Sequence, residues 1–231
     1  MGPGVTQFQP GQAVYGLMSA SYAEYAVVPA SDLQTKPDRL SFTEAASVPL
    51  GALTAWGAVI DSAQVQPGQR VLVQGAAGGV GLYAVQLAHW KGAQVYGTAS
   101  SANVAFVRSL GAEAIDYTAG PIEQYVHNVD VVIDTVGGEI PDRSLAVLRR
   151  GGTLVTVAAR LAEDFGRDQG IRGMNAGSAS KDKLKEITRL INAGTLKPEV
   201  YKVIPLAEAQ QAHELSQTGH GRGRIVLRVI E

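Results

Sequence analysis

Between residues 71 and 175, apolar positions follow two alternating periods, and the alternation predicts a repeating strand–helix order. Val71-Leu72-Val73 is a short apolar run after the turn signal Gln66-Pro67-Gly68-Gln69, which predicts a buried strand. Val80, Tyr83, Ala84, Leu87 and Ala88 then recur at helical spacing, the apolar stripe of a helix lying on a sheet, with Gly92 as its stop. The rhythm continues with a strand at Gln94–Gly97, a helix from Asn103 to Leu110 closed by Gly111, and a brief strand at Ala114-Ile115. A fourth strand is expected at Val129–Ile133, a helical stretch at Ser144–Leu148, a turn at Gly151-Gly152, a fifth strand at Thr153–Val157 and a sixth at Ile171–Met174. Strands alternating with helices imply parallel βαβ units, and right-handed crossovers then select an α/β fold with a doubly wound, Rossmann-type sheet.

The flanks read differently. Ala13-Val14-Tyr15, Tyr22, Tyr25 and Val27-Val28 suggest antiparallel strands within residues 12–30. Lys181–Ala193 forms an amphipathic helix with Leu184, Ile187, Leu190 and Ile191 on one side. A strand (Val200–Leu206), a helix (Ala207–Leu215) and a strand (Ile225–Ile230) follow. The expected division is a nucleotide-type domain over 51–179 and a smaller, strand-rich one made of 1–50 and 180–231.

Composition narrows the chemistry. Twenty basic residues against 21 acidic ones give a net charge of −1, which offers no electrostatic case for nucleic acid or an anionic membrane. The absence of cysteine excludes disulfides, thiolate catalysis and Cys-ligated zinc. His89, His127, His213 and His220 are too scattered to suggest a metal cluster. No apolar run approaches the ~20 residues of a membrane span, and Met1-Gly2-Pro3-Gly4 does not read as a signal peptide. A soluble, cytoplasmic protein is expected.

The most informative segment runs from Val71 to Gly81. Gly75, Gly78 and Gly81 are spaced three apart, with Gly79 as a fourth glycine, a loosened form of the dinucleotide fingerprint. Such glycines suit any tight strand-to-helix turn. They also let backbone N–H groups approach a pyrophosphate without Cβ obstruction, and the surrounding βαβ order favours that use. Beyond the second strand, residues 82–112 contain no Asp or Glu, where an NAD-preferring site usually places a carboxylate for the ribose 2′-hydroxyl. Thr98-Ala99-Ser100-Ser101-Ala102-Asn103 stands there instead. These donors suit a 2′-phosphate, so NADPH is expected over NADH, although Ser100 and Ser101 also suit a helix cap.

With these motifs in place, the sequence resembles the quinone oxidoreductase (zeta-crystallin-like) branch of the zinc-free medium-chain dehydrogenase/reductase superfamily. The likeness is carried by Gly11–Gly16, Tyr22–Pro29, Leu40–Ala46, Leu53-Thr54-Ala55-Trp56, Gly75–Gly81, Leu110-Gly111-Ala112, Asp134–Gly138, Gly151–Val155 and His220–Leu227. The resemblance implies hydride transfer from NADPH to a quinone or enone acceptor, in a homodimer paired near the sixth strand. It matches Ala77, Gly78, Gly79, Val80 and Gly81 to the pyrophosphate loop, and Ser100 and Ser101 to the adenosine ribose and its phosphate. Tyr117 matches a tyrosine near that phosphate, or is simply buried at a sheet edge. Val136 and Gly137 match the turn beside the nicotinamide ribose, and Val157 and Ala158 the backbone near the carboxamide. Thr54 matches a helix residue facing the nicotinamide, or is an interior hydroxyl bonded one turn back.

Two departures stand out. Val104 occupies the place of a lysine that the family often supplies to the 2′-phosphate, with Arg108 one turn further as a substitute. The leading part of the family's GroES-like catalytic domain is also absent, so residues 1–50 and 180–231 are expected to be a remnant of it. No catalytic residue is named on these grounds. A dinucleotide-binding module without turnover is the alternative. A piece of a larger enoyl reductase is a third reading, against which Leu227–Glu231 reads as a self-contained end.

Overall fold

The computed structural model describes residues 1–177, 180–219 and 221–229; His220 and Ile230 lie outside the described residues. In chain order, β1 (Val14–Gly16), β2 (Leu33–Thr35), α1 (Phe42–Ser47) and α2 (Pro49–Trp56) come first. Next are β3 (Arg70–Gln74), α3 (Gly81–Trp90), β4 (Gln94–Ala99), α4 (Val104–Ser109) and β5 (Glu113–Asp116). They are followed by β6 (Val129–Asp134), α5 (Ile140–Ser144), β7 (Leu148–Thr156) and β8 (Arg172–Asn175). The chain closes with α6 (Leu184–Asn192), β9 (Val200–Pro205), α7 (Ala209–Gln217) and β10 (Arg224–Arg228). Two compact units result, one of Thr54–Ala179 and one of Met1–Leu53 with Ser180–Glu231.

In the first of these units six parallel strands form one sheet in the order β5-β4-β3-β6-β7-β8. The near-continuous apolar runs are those of strands covered on both faces: Val71, Leu72 and Val73 are fully buried, as are Val132 and Ile133. The helix α3 is buried all round from Gly81 to Ala88, beyond the expected stripe of Tyr83, Ala84, Leu87 and Ala88, while Val80 is only half-buried. Gly97 in β4 allows close packing, since a Cβ there would lie 2.7 Å from the Ala76 Cβ and 2.8 Å from Val107. The strand order reverses between β3 and β6, which opens a crevice beyond their carboxyl ends.

In the other unit, β1 and β2 pair antiparallel and β9 and β10 pair parallel. Leu184, Ile187, Leu190 and Ile191 form the buried face of α6, the four positions that the periodicity selects. A capping box starts α1: Ser41 accepts from the Glu44 N–H, and Glu44 accepts from the Ser41 N–H. Among the described residues no helix is long and apolar enough to cross a membrane.

Some expectations shift. Residues 12–30 form no hairpin: β1 reaches forward to β2, and Tyr25 and Val27 stand in irregular chain, 89% and 105% exposed. Their apolar character there reflects no burial within this chain. The helix expected at Ser144–Leu148 instead ends at Ser144, because Pro141 favours a start near Ile140. β7 begins at Leu148, earlier than Thr153, and accommodates Gly151 at φ +77° through a register shift against β6.

Tyr15 links β1 to α6, with its hydroxyl 2.7 Å from Thr188 Oγ1. Burial pushes its pKa from 10.0 up to about 12, with the Thr188 bond pulling the other way. The neutral phenol is the form that the folded state favours. Its contribution is therefore intact below pH ~10 and lost as the pH rises toward about 12. Urea unfolding across that window should lose stability more steeply for the parent chain than for Tyr15→Phe; parallel pH profiles would contradict this.

Candidate functional site

The carboxyl ends of the central strands lie in one row. Gln74 pairs with Asp134 and Asp134 with Thr156 across β3, β6 and β7, while Ala99 at the end of β4 pairs with Asp116 at the end of β5. Out of this row rise the loops that carry the expected binding residues.

The loop after β3 turns at Gly75, whose φ is +70°. A Cβ there would lie 2.8 Å from Thr135 Oγ1 and 2.9 Å from Val136 Cγ2, so only glycine lets this loop meet the turn after β6. Gly81 begins α3 so close to the loop that a Cβ would come within 2.1 Å of the Gly75 carbonyl oxygen. At Gly78 the nearest obstruction is that same oxygen at 3.3 Å, and neither Gly78 nor Gly79 has a positive φ. The conformational demand for glycine therefore sits at Gly75 and Gly81, while Gly78 is a matter of access. With Ala77 and Val80 these residues lead into the N-terminus of α3, where the Leu82 and Tyr83 N–H groups donate to the Gly78 and Val80 carbonyls and the positive end of the helix dipole faces the loop. Residues of this form fit a dinucleotide's pyrophosphate.

Buried side chains hold the loops in place. The Thr98 hydroxyl donates to Gln74 Oε1 at 2.9 Å and accepts from the Gly75 N–H at 3.0 Å, tying β4 to the loop. The Thr135 hydroxyl donates to the Gln74 carbonyl at 2.7 Å. Asp134 is fully buried. Its Oδ1 accepts from the Val136 and Gly137 N–H groups at 2.9 and 3.0 Å, and its Oδ2 accepts from the Thr156 hydroxyl at 2.6 Å. Thr156 Oγ1 in turn accepts from the N–H groups of Ala158 and Ala159, both at 3.1 Å. The Val157 N–H donates to the Asp134 carbonyl at 3.0 Å. One carboxylate thus sets both turns, and Gly137 at φ +79° lets them touch, since a Cβ there would lie 2.6 Å from the Ala158 oxygen.

The end of β4 departs from the sequence reading. Ser101 forms no cap; its hydroxyl donates to Asp116 Oδ2 at 2.5 Å. Asp116 Oδ1 accepts from the Thr118 N–H at 2.9 Å and hydroxyl at 2.6 Å. The Ser101 bond, followed by those from Thr118, holds the Asp116 carboxyl below its usual value. A carboxylate therefore does stand at this corner, brought there by sheet pairing from outside the 82–112 window. Ser100 accepts from the Asn103 amide at 3.3 Å. Tyr117 is 52% exposed, which removes the reading of simple burial at a sheet edge. A depression of about 450 Å³ opens beside Ser101, Val104, Arg108 and Asp116.

The structure brings Ala77–Gly81, Ser100, Ser101, Tyr117, Val136, Gly137, Val157 and Ala158 to the same sheet edge. Thr54 is half-buried on α2, and its assignment to the nicotinamide rests on resemblance alone. Gln74, Asp116 and Thr156 went unnamed in the sequence reading, and Thr98 and Asp134 were quoted there only within longer motifs. Of these Asp134 carried a legible signal, an Asx-type turn ahead of Gly137-Gly138. A second depression, about 530 Å³ along α6 from Asp182 to Asn192, gathers mainly charged side chains with no comparable loops.

Comparison with known proteins gives the family and the fold. A family profile described as zinc-binding dehydrogenase matches residues 110–227. The chain is 36% identical over 248 residues to polyketide synthase GfsB of Streptomyces halstedii, covering 99% of this chain and 4% of that protein. It is 30% identical over 264 residues to the mitochondrial NAD(P)H oxidoreductase RTN4IP1 of Danio rerio, covering 98% of this chain and 68% of that one. Among solved structures, the quinone oxidoreductase of Coxiella burnetii superposes with a TM-score of 0.91 at 34% identity, over 100% of this chain and 76% of that one. An alcohol dehydrogenase superfamily protein of Novosphingobium aromaticivorans gives 0.88 at 31% identity, over 98% and 78%.

The two kinds of glycine should separate experimentally. Gly81→Ala should lower stability by about 1–3 kcal/mol through overpacking against Gly75. Gly78→Val should keep the fold and lose dinucleotide binding. Thermal unfolding beside a fluorescence titration with reduced nicotinamide dinucleotide checks both. A Gly81→Ala protein that melts like the parent, or a Gly78→Val protein that binds normally, would contradict the assignment.

Proposed function

Because this chain belongs to the medium-chain dehydrogenase/reductase superfamily, we propose that it is a nicotinamide-dependent oxidoreductase whose acceptor is a quinone or an enone. The observation that carries the proposal is the alignment of the glycine loop with the turns after β6 and β7, all fixed by Asp134 and Gln74. When bound, a reduced nicotinamide supplies the hydride, and the protein's work is to bind, orient and exclude water. The positive end of α3, reached through the small residues of Ala77 to Gly81, would hold the pyrophosphate. Val136 and Gly137 would bracket the nicotinamide ribose, and Val157 and Ala158 would offer backbone groups to the carboxamide. Asp134 and Thr156 would act as positioning residues, keeping the two turns at fixed separation. The one proton that completes the reduced quinone after hydride transfer can come from water. No side-chain acid is assigned.

The quinone arm follows the name of the Coxiella burnetii protein, and the enone arm follows the family resemblance. The chain spans 68% of the zebrafish oxidoreductase and 4% of the synthase, so the acceptor of the whole relatives is a proposal for this chain. A homodimer is proposed through the exposed edge of β8, since β8 ends the sheet order.

Oxidation of NADH or NADPH should depend on added quinone or conjugated enone, at rates at or below the ~10 s⁻¹ typical of enzymes. Saturable binding with no turnover across both acceptor classes would instead identify a dinucleotide-binding module. Light scattering at micromolar concentration should give a dimer mass; a monomer would remove the β8 proposal.

A further inference from the structure

We infer that Asp116 sets the cofactor preference of the proposed site, favouring a ribose with a free 2′-hydroxyl, as in NADH, over one with a 2′-phosphate, as in NADPH. The inference rests on the cofactor reading above and reverses the preference expected from residues 82–112 alone.

Strand register carries the first step. β4 and β5 are parallel neighbours, and their final pair is Ala99 with Asp116. In this fold the carboxyl end of the second strand of the glycine-loop unit reads the adenosine ribose, and that strand is β4. Asp116 therefore lies one strand spacing, ~4.8 Å, to the side of the residue where a carboxylate would ordinarily be sought.

Hydrogen bonding carries the second step. A hydroxyl has one proton to give. Ser101 gives its proton to Asp116 Oδ2, and Thr118 gives its own to Oδ1. The Thr118 N–H is also turned onto the carboxylate. Three donors that could have met a phosphate are thus committed to a neighbouring anion, and the corner presents lone pairs. A ribose hydroxyl can donate to such a corner, whereas a dianionic phosphate cannot. The same bonds favour the ionised carboxyl, so the negative charge persists at neutral pH.

Charge balance carries the third step. Val104 supplies no cation, and Arg108 is the single cationic side chain among the residues lining the depression. One guanidinium opposite one carboxylate leaves no net positive charge to attract a 2′-phosphate. The partly exposed position of Asp116 and screening by salt keep the penalty to about fivefold to tenfold in affinity.

Calorimetric titration of the full chain with NADH and NADPH tests this directly. The parent should bind NADH more tightly, by about fivefold to tenfold at low ionic strength, and the gap should narrow as salt is raised. Asp116→Asn should move the affinity ratio toward NADPH by a similar factor; Asp116→Ser carries the same expectation should the Asn variant fail to fold. Arg108→Gln should move the ratio the other way. A parent that binds NADPH as well as or better than NADH overturns the inference and leaves the cofactor site standing, as does a ratio unchanged in both Asp116 variants. Binding of neither dinucleotide overturns the cofactor reading and this inference with it.

Discussion

The buried carboxylate of Asp134 is the interaction on which the site depends. A buried carboxyl is costly unless its oxygens are hydrogen-bonded, and here three donors converge on it. Because two of those donors are backbone N–H groups of the turn after β6, and the third hydroxyl orients the loop after β7, these bonds also fix geometry. Removing the carboxylate would strand these donors at roughly 1–3 kcal/mol for each one left buried and unpaired. The turns would lose their separation with it. Stability of the sheet end and placement of a ligand beyond it are thus one requirement.

Glycine supplies the complementary constraint. Gly81 and Gly137 stand where backbone meets backbone, Gly75 stands where backbone meets the Thr135 and Val136 side chains, and each would drive a Cβ into its neighbour. The carboxylate draws the turns together and the glycines let them come that close. What remains open is the space in front of Gly78 and beside Ser101, where a pyrophosphate and a ribose would lie. The fixed parts of the site are built from main chain and buried polar groups, and its selectivity is left to a few exposed side chains at the end of β4 and β5.

Much of this was legible in the sequence, for reasons that local physics explains. Parallel strands covered on both faces read as apolar runs, so Val71–Val73 and Val129–Ile133 were found within a residue or two. The periodic face of α6 was found position by position. Irregular chain was harder: Tyr22 to Val28 looks like strand by composition, yet among the described residues no strand pairs with it, and only pairing defines a strand. The end of β4 read as free of carboxylates because a window along the chain cannot see across a sheet. Asp116 lies seventeen residues beyond Ala99 and directly beside it. Asp134 carried its turn signal openly, but its second role, through Thr156 to Ala158, needs the register of β6 on β7.

The central claim is that a nicotinamide dinucleotide lies across the glycine loop and along the carboxyl edge of the six-stranded sheet. Backbone amide chemical shifts of the isotopically labelled protein, followed during titration with NADH, report that placement residue by residue. The account predicts saturable shifts concentrated at Ala77–Gly81, Ser100–Ser101, Val136–Gly137 and Val157–Ala158. Saturable shifts confined to another surface, such as the Asp182–Asn192 face of α6, or no shifts at millimolar NADH, would contradict it.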